Sequence, residues 1–168
     1  CFTTQTLTGP WRRAAETYHQ QTGIPIGLIG WAFGGVPMAR FWDAEAKELS
    51  DLKGIVTQHG RGATTFLWYQ GESDSNPECL PVYKARLAGM IAALRRYADN
   101  PDMVAVVVQL SYCASMKPPT PYVGRMREIQ RQVCAEDARA VLIPAQPYPH
   151  CDPVHLNHDG YLALGRRI

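Results

Sequence analysis

The densest group of reactive side chains lies near the carboxyl end, in His150-Cys151-Asp152-Pro153-Val154-His155-Leu156-Asn157-His158-Asp159. A carboxylate and an imidazole three residues apart in a loop meet when the loop curls. Asp152 would then hold the ring of His155 and stabilise its protonated form during proton transfer. The same segment admits a metal site made of His150, Asp152, His155 and His158, because imidazoles and carboxylates suit zinc and similar ions. A third reading is a set of helix-capping and surface residues without chemistry.

A second cluster is Leu67-Trp68-Tyr69-Gln70-Gly71-Glu72-Ser73-Asp74. A Gln side chain donates through its amide NH2, so Gln70 is suited to a developing negative charge, and Glu72 is suited to orienting its neighbours. The competing reading is a satisfied polar turn before a helix. A third segment, Trp31-Ala32-Phe33-Gly34-Gly35-Val36-Pro37, places paired glycines before a helix start. There the backbone can approach a ligand and offer free N–H groups, making Gly34 or Gly35 an oxyanion donor, or simply a tight turn. Ser111 follows an apolar run and is the best-placed internal serine. Ser73 reads more readily as a helix-cap residue. Neither sits in a Gly-x-Ser-x-Gly elbow.

These groups need a scaffold that brings them to one side. Pro10 to Gln21 reads as a helix with Gly23 as its stop. Ile24 to Ile29 is a short apolar strand, and Val36 to Ser50 is helical. Thr64 to Tyr69 is β-branched and aromatic, as in strands. Tyr83, Leu87, Met90, Ile91 and Leu94 recur at helical spacing. Met103 to Leu110 is almost continuously apolar, as in a parallel strand covered on both faces. Tyr122 to Val133 is amphipathic, with Val123, Met126, Gln130 and Val133 on one side. Ala140 to Ile143 is a last strand, and Asp159 to Ile168 a last helix, with Asn157 or Asp159 as cap. Four strands alternating with helices predict a mostly parallel sheet with helices on both faces, an α/β fold. Reactive loops then gather at the carboxyl ends of the strands.

At 168 residues, 46% hydrophobic and 19% charged, the chain has the composition of one soluble globular domain. A net charge of +2 and the absence of a dense Lys/Arg run point away from nucleic acid. No apolar stretch has the roughly 18 residues of a membrane span. The five cysteines are widely spaced, without a Cys-x-x-Cys pair, and fit either reduced thiols or one or two disulfides with one left over. No cofactor motif occurs. Both ends read as cut, so residues 1–168 are expected to be a single domain truncated at each end.

Ile24-Pro25-Ile26-Gly27-Leu28-Ile29 followed by Gly34-Gly35-Val36-Pro37-Met38, Trp68-Tyr69-Gln70-Gly71-Glu72-Ser73-Asp74, Tyr122 to Gln130, and Asp152-Pro153-Val154-His155-Leu156 occur in that order. Together they resemble the sialate O-acetylesterase and plant-type carbohydrate acetylesterase group of the SGNH hydrolases, from Gly23 onward. The resemblance implies a three-layer α/β/α sandwich on a five-stranded parallel sheet, with His155 as general base and Asp152 as its orienter. Gln70 and a Gly34 or Gly35 amide would be the oxyanion donors. The substrate would be an acetylated carbohydrate, attacked through an acyl-enzyme, without a cofactor or metal. That group carries its nucleophile in a Gly-Gln-Ser-Asn-Met segment after the first strand, and no Gly-Gln-Ser-Asn occurs here. The chain is therefore expected to be a fragment that lacks the first strand and its serine, inactive alone and a partner for that missing N-terminal segment. Two alternatives stand beside this: the metal-dependent hydrolase of His150 to His158, and a carbohydrate-binding remnant in which Trp31, Trp42, Trp68 and Tyr69 stack on sugar rings.

Overall fold

The computed structural model describes residues 9–42, 47–111 and 121–168. Along the chain run α1 (Trp11–Thr22), a 3-10 turn (Met38–Phe41), α2 (Lys47–His59), β1 (Thr65–Trp68), α3 (Leu80–Tyr97), β2 (Val104–Gln109), α4 (Pro121–Glu136), β3 (Ala140–Pro144) and α5 (His158–Arg167). The three strands form one parallel sheet in the order β1-β2-β3. Cys1 and Cys113, and Lys117 to Thr120 of the Pro-rich stretch, lie outside the described residues. Cys79, Cys134 and Cys151 are free thiols.

The central strand explains the layering. Along β2, Ala105 and Val107 belong to the core shared with α3, α4 and the 3-10 turn, whereas Val108 joins Leu156, Leu164 and Trp11. Alternate side chains of a strand point to opposite faces, so the sheet is covered on both. α2, α3 and α4 lie on one side and the α1–α5 pair on the other. That is the three-layer α/β/α arrangement expected from the sequence. On α3, Tyr83, Leu87, Met90, Ile91 and Leu94 are all buried. Each such burial is worth about 2 kcal/mol. This outweighs the cost of about 1 kcal/mol of Gly89 inside the helix, and the Cβ-less Gly89 lets the Trp42 ring lie against it.

Several local signals act as read. α1 stops at Gly23, whose φ of 71° is the left-handed cap geometry. Asn157 caps α5 by accepting from the Gly160 amide at 2.9 Å.

Two expectations are corrected. The sheet has three strands among the described residues, not four: residues 24–29 are not part of it, and Ile24, Ile26, Leu28 and Ile29 are exposed. A strand is completed by a neighbour's hydrogen bonds, which an apolar run does not itself provide. Where a single helix was read over Val36 to Ser50, Met38–Phe41 form a 3-10 turn and α2 covers the stretch from Lys47, residues 43–46 lying outside the described residues. Pro37 is extended, and the Met38 amide is drawn to the Asp74 carboxylate, so a tertiary contact overrides the local helical preference.

Candidate active site

Asp152 and His155 meet in the loop between β3 and α5. One carboxylate oxygen, Oδ1, accepts from the Val154 amide at 2.9 Å and the His155 amide at 2.8 Å. The other, Oδ2, lies 2.7 Å from His155 Nδ1. The carboxylate thus curls the loop and fixes the ring with Nδ1 as donor, which leaves Nε2 as the proton acceptor. Burial works against the charge of Asp152, but the two amides and the imidazole outweigh it and hold its pKa at about 2. Both side chains remain partly open to solvent. The loop is closed on itself, with Cys151 donating to the His155 carbonyl at 3.0 Å and Asn157 to that of Pro149 at 3.0 Å. Leu156 plugs it into the core beneath α5.

Gln70 stands just beyond β1 in a buried polar network. Its amide NH2 donates to Asp74 Oδ2 at 2.5 Å and to the Val36 carbonyl at 3.2 Å. Its side-chain oxygen accepts from the Tyr83 hydroxyl at 3.2 Å, and that hydroxyl accepts from Trp68 Nε1 at 3.2 Å. The Gln70 backbone carbonyl accepts from Gln130 Nε2 at 3.0 Å, while Gln130 Oε1 takes the Leu110 amide at 3.0 Å. Burial raises the Tyr83 pKa and keeps the phenol neutral. Gly71 allows the tight exit from the strand: its φ is 144°, and a Cβ there would meet Gln130, Leu110 and Met126 at 3.2 Å each.

The Gly34-Gly35 turn is tied to this network through Asp74, which also accepts from the Met38 amide at 2.8 Å. Gly35 has a φ of 68°, and a Cβ at either glycine would meet open space. The turn is therefore exposed and approachable, while its trailing end is fixed. Glu72 is half-buried, and burial raises its pKa, opposed by backbone hydrogen bonds and by the charge of His155. Burial and then the charge of Glu72 push Tyr161 on α5 up to about 12. Glu72, His155, Asp152 and Tyr161 thus form one electrostatic group.

The remaining candidates go elsewhere. Ser73 does not cap α3; the turn before that helix is held by Asn76, whose Oδ1 accepts from Glu78 and Cys79. Ser111, at the end of β2, is hydrogen-bonded to His150 Nε2. With His150 so placed and His155 on Asp152, no group of three His, Cys, Asp or Glu side chains among the described residues is arranged to hold a metal. The aromatics read as a sugar platform make packing contacts. Trp68 is buried against Phe41, Trp31 packs edge-on to Phe33 and Phe41, and Trp42 lies over Gly89. Asp74, Tyr83, Gln130 and Tyr161 were not read as site groups from the sequence, and Ser111 and His150, each a candidate there, were not read as a pair. Gln130 carried a signal, being a polar residue on the buried face of α4.

Comparison with known proteins follows the same lines. The family profile described as "Carbohydrate esterase, sialic acid-specific acetylesterase" matches residues 5–168. No functionally curated protein matches. A crystal structure of an Arabidopsis thaliana protein superposes with a TM-score of 0.76 at 22% identity, over 91% of this chain and 63% of that one. A carbohydrate acetylesterase from Xanthomonas citri superposes with a TM-score of 0.74 at 20% identity, over 93% of this chain and 38% of that one. At such identities the likeness is one of fold, and the chain spans less than two thirds of either neighbour.

Proposed function

This chain belongs to the sialic acid-specific acetylesterase family of carbohydrate esterases, and from that premise we propose that it carries the acid–base part of a serine-type carbohydrate O-acetylesterase. The observation that carries the reading is the Asp152–His155 pair, 2.7 Å apart and open to solvent at the carboxyl ends of the strands. His155 Nε2 takes the proton of a serine hydroxyl as that oxygen attacks the acetyl carbonyl, and Asp152 stabilises the resulting imidazolium. The same imidazolium then protonates the departing sugar oxygen. Water, activated by His155, releases acetate from the acyl-enzyme.

Oxyanion donors in this reading are the amide of Gly34 or Gly35 and the Gln70 side chain. Both hydrogens of the Gln70 NH2 are engaged, the weaker contact being the one to Val36 at 3.2 Å. A developing oxyanion would take that hydrogen from the carbonyl, a favourable exchange because bonds to charged acceptors are about twice as strong. Glu72, close enough to His155 to sense its charge, stands beside the ring as a supporting group.

The sequence holds no Gly-Gln-Ser-Asn block, so we place the nucleophile for acetylated sugars on a polypeptide that carries one. The test is hydrolysis of an acetylated sugar by the chain alone and with such a segment added. Turnover that requires the segment and falls about 10²–10⁴-fold in His155→Ala supports the assignment. Turnover by the mixture that is unchanged in His155→Ala removes His155 from the mechanism.

A further inference from the structure

We propose that Ser111 and His150 form a second nucleophile–base pair, which accepts small acyl or sulfonyl groups and uses neither Asp152 nor His155. Ser111 lies two residues beyond the end of β2, the central strand, at the end of the sheet where the reactive loops gather. Its hydroxyl is hydrogen-bonded to His150 Nε2, the contact through which an imidazole removes a serine proton. His150 is not a loose surface group: its backbone forms a bridge with Leu156, a fully buried residue of the core beneath α5. The base is therefore anchored to the same core as the strand that carries the serine.

Charge at this point favours the developing anion. The Arg127 guanidinium donates to the carbonyl of Leu110, the residue immediately before Ser111. It is half-buried, so its positive charge acts beside the serine with less solvent screening than on the open surface. Burial also sets the class of reagent. Ser111 is only 5% exposed, so the proposal is confined to the smallest acyl and sulfonyl groups and leaves out the ring of a sugar.

The chemistry closes without any co-reactant. Ser111 Oγ bonds to the carbonyl carbon or sulfur, and its proton moves to His150 Nε2. The bond to the leaving group breaks, and an alkoxide leaving group takes the proton back from His150. A fluoride departs as the anion, and the imidazolium then returns its proton to solvent. Water hydrolyses an acyl-serine, whereas a sulfonyl-serine persists and can be weighed.

The experiment treats the full chain with methanesulfonyl fluoride and reads the product by intact-protein and peptide mass spectrometry. One sulfonyl group on Ser111 is expected, absent in Ser111→Ala. His150→Ala and His150→Gln should slow labelling by about 10²-fold or more, with His158→Ala at the wild-type rate. The Gln variant keeps a hydrogen-bonding partner for the hydroxyl but has no base, so lost labelling with an unchanged circular dichroism spectrum isolates proton removal. An unlabelled wild-type chain, a label on another residue, or wild-type rates in both His150 variants would overturn the proposal. None of these outcomes bears on sugar-ester turnover through His155, so the two assignments fail separately.

Discussion

Replacing Asp74 tests whether the polar network around Gln70 is held from its centre. Asp74 is 1% exposed, and its Oδ2 accepts from the Met38 amide at 2.8 Å and from Gln70 Nε2 at 2.5 Å. Its Oδ1 is buried with no partner among the described residues. Asp74→Ala strands two donors, at about 1–3 kcal/mol each. Met38 is fully buried and belongs at the upper end of that range, while Gln70, half-buried with Val36 still in reach, belongs at the lower end. Against their sum of about 4 kcal/mol stands relief of the unpaired Oδ1, worth about 2 kcal/mol on the same scale. The net expectation is a loss of about 2 kcal/mol. Asp74→Asn keeps one oxygen for both donors, gives up charge assistance of about 1 kcal/mol per bond, and sets its NH2 at the buried, partnerless position of Oδ1, so nothing is relieved there. It too should lose about 2 kcal/mol, with the Met38 amide still bonded. With a urea slope of about 2 kcal/mol/M, the Ala variant should unfold about 1 M earlier. The transition can be followed by the fluorescence of the buried Trp68. Met38 amide exchange should accelerate in the same variant. An Ala variant within about 0.5 kcal/mol of wild type, or Met38 amide exchange unchanged in that variant, would refute the reasoning.

Three further outcomes follow from the same geometry. The Asp152 carboxyl should titrate at about 2 by carbon NMR. Its contribution to stability is then complete above the ordinary value near ~3.9 and lost as pH falls towards about 2. His155→Ala should move the midpoint upward and narrow that window; an unmoved midpoint would mean that the ring is not one of the groups holding the charge. Glu72 has the opposite sign: burial raises its pKa, so ionising it costs stability as pH rises from the ordinary ~4.3 through the raised value. Glu72→Gln should therefore gain on wild type between pH 4 and pH 7 in urea titrations, and a relative loss over that interval would contradict the assignment. Gly71→Ala should cost about 1–3 kcal/mol, because it combines a left-handed backbone with three contacts at 3.2 Å. Gly34→Ala, which meets open space, should change stability by less than about 0.5 kcal/mol; equal costs in thermal melts would show that the crowding at Gly71 is not what matters.

What could be read from the sequence was what local spacing determines. Asp152 and His155 are three residues apart, and the bonds that join them close within Asp152 to His155, so the motif contains its own geometry. β1, β2 and β3 were recognisable because β-branched and apolar runs match strands that are paired in parallel. Residues 24–29 carry the same composition and lack a strand neighbour among the described residues, which no residue type encodes. The Gln70 network was hidden for a related reason. Its partners Val36, Tyr83 and Gln130 lie 34, 13 and 60 residues away along the chain. Even so, a glutamine among Val123, Met126 and Val133 on the buried face of α4 required a polar partner inside the core.

This difference in range sets how each part of the site responds to loss of stability. The Asp152–His155 turn needs only four residues in place, and Asn157 and Leu156 seat it at the start of α5. The proposed oxyanion side depends on the Gly34-Gly35 turn, the end of β1, α3 and α4 holding their mutual positions, because Asp74, Tyr83 and Gln130 each bind Gln70 from a different segment. Any loosening of packing between α3 and α4 therefore reaches Gln70 before it reaches His155. Partial denaturation should first release the Gln70 side-chain amide to solvent while the His155 ring stays on its carboxylate, since a contact closed over three residues carries little loop entropy and one closed over sixty carries more.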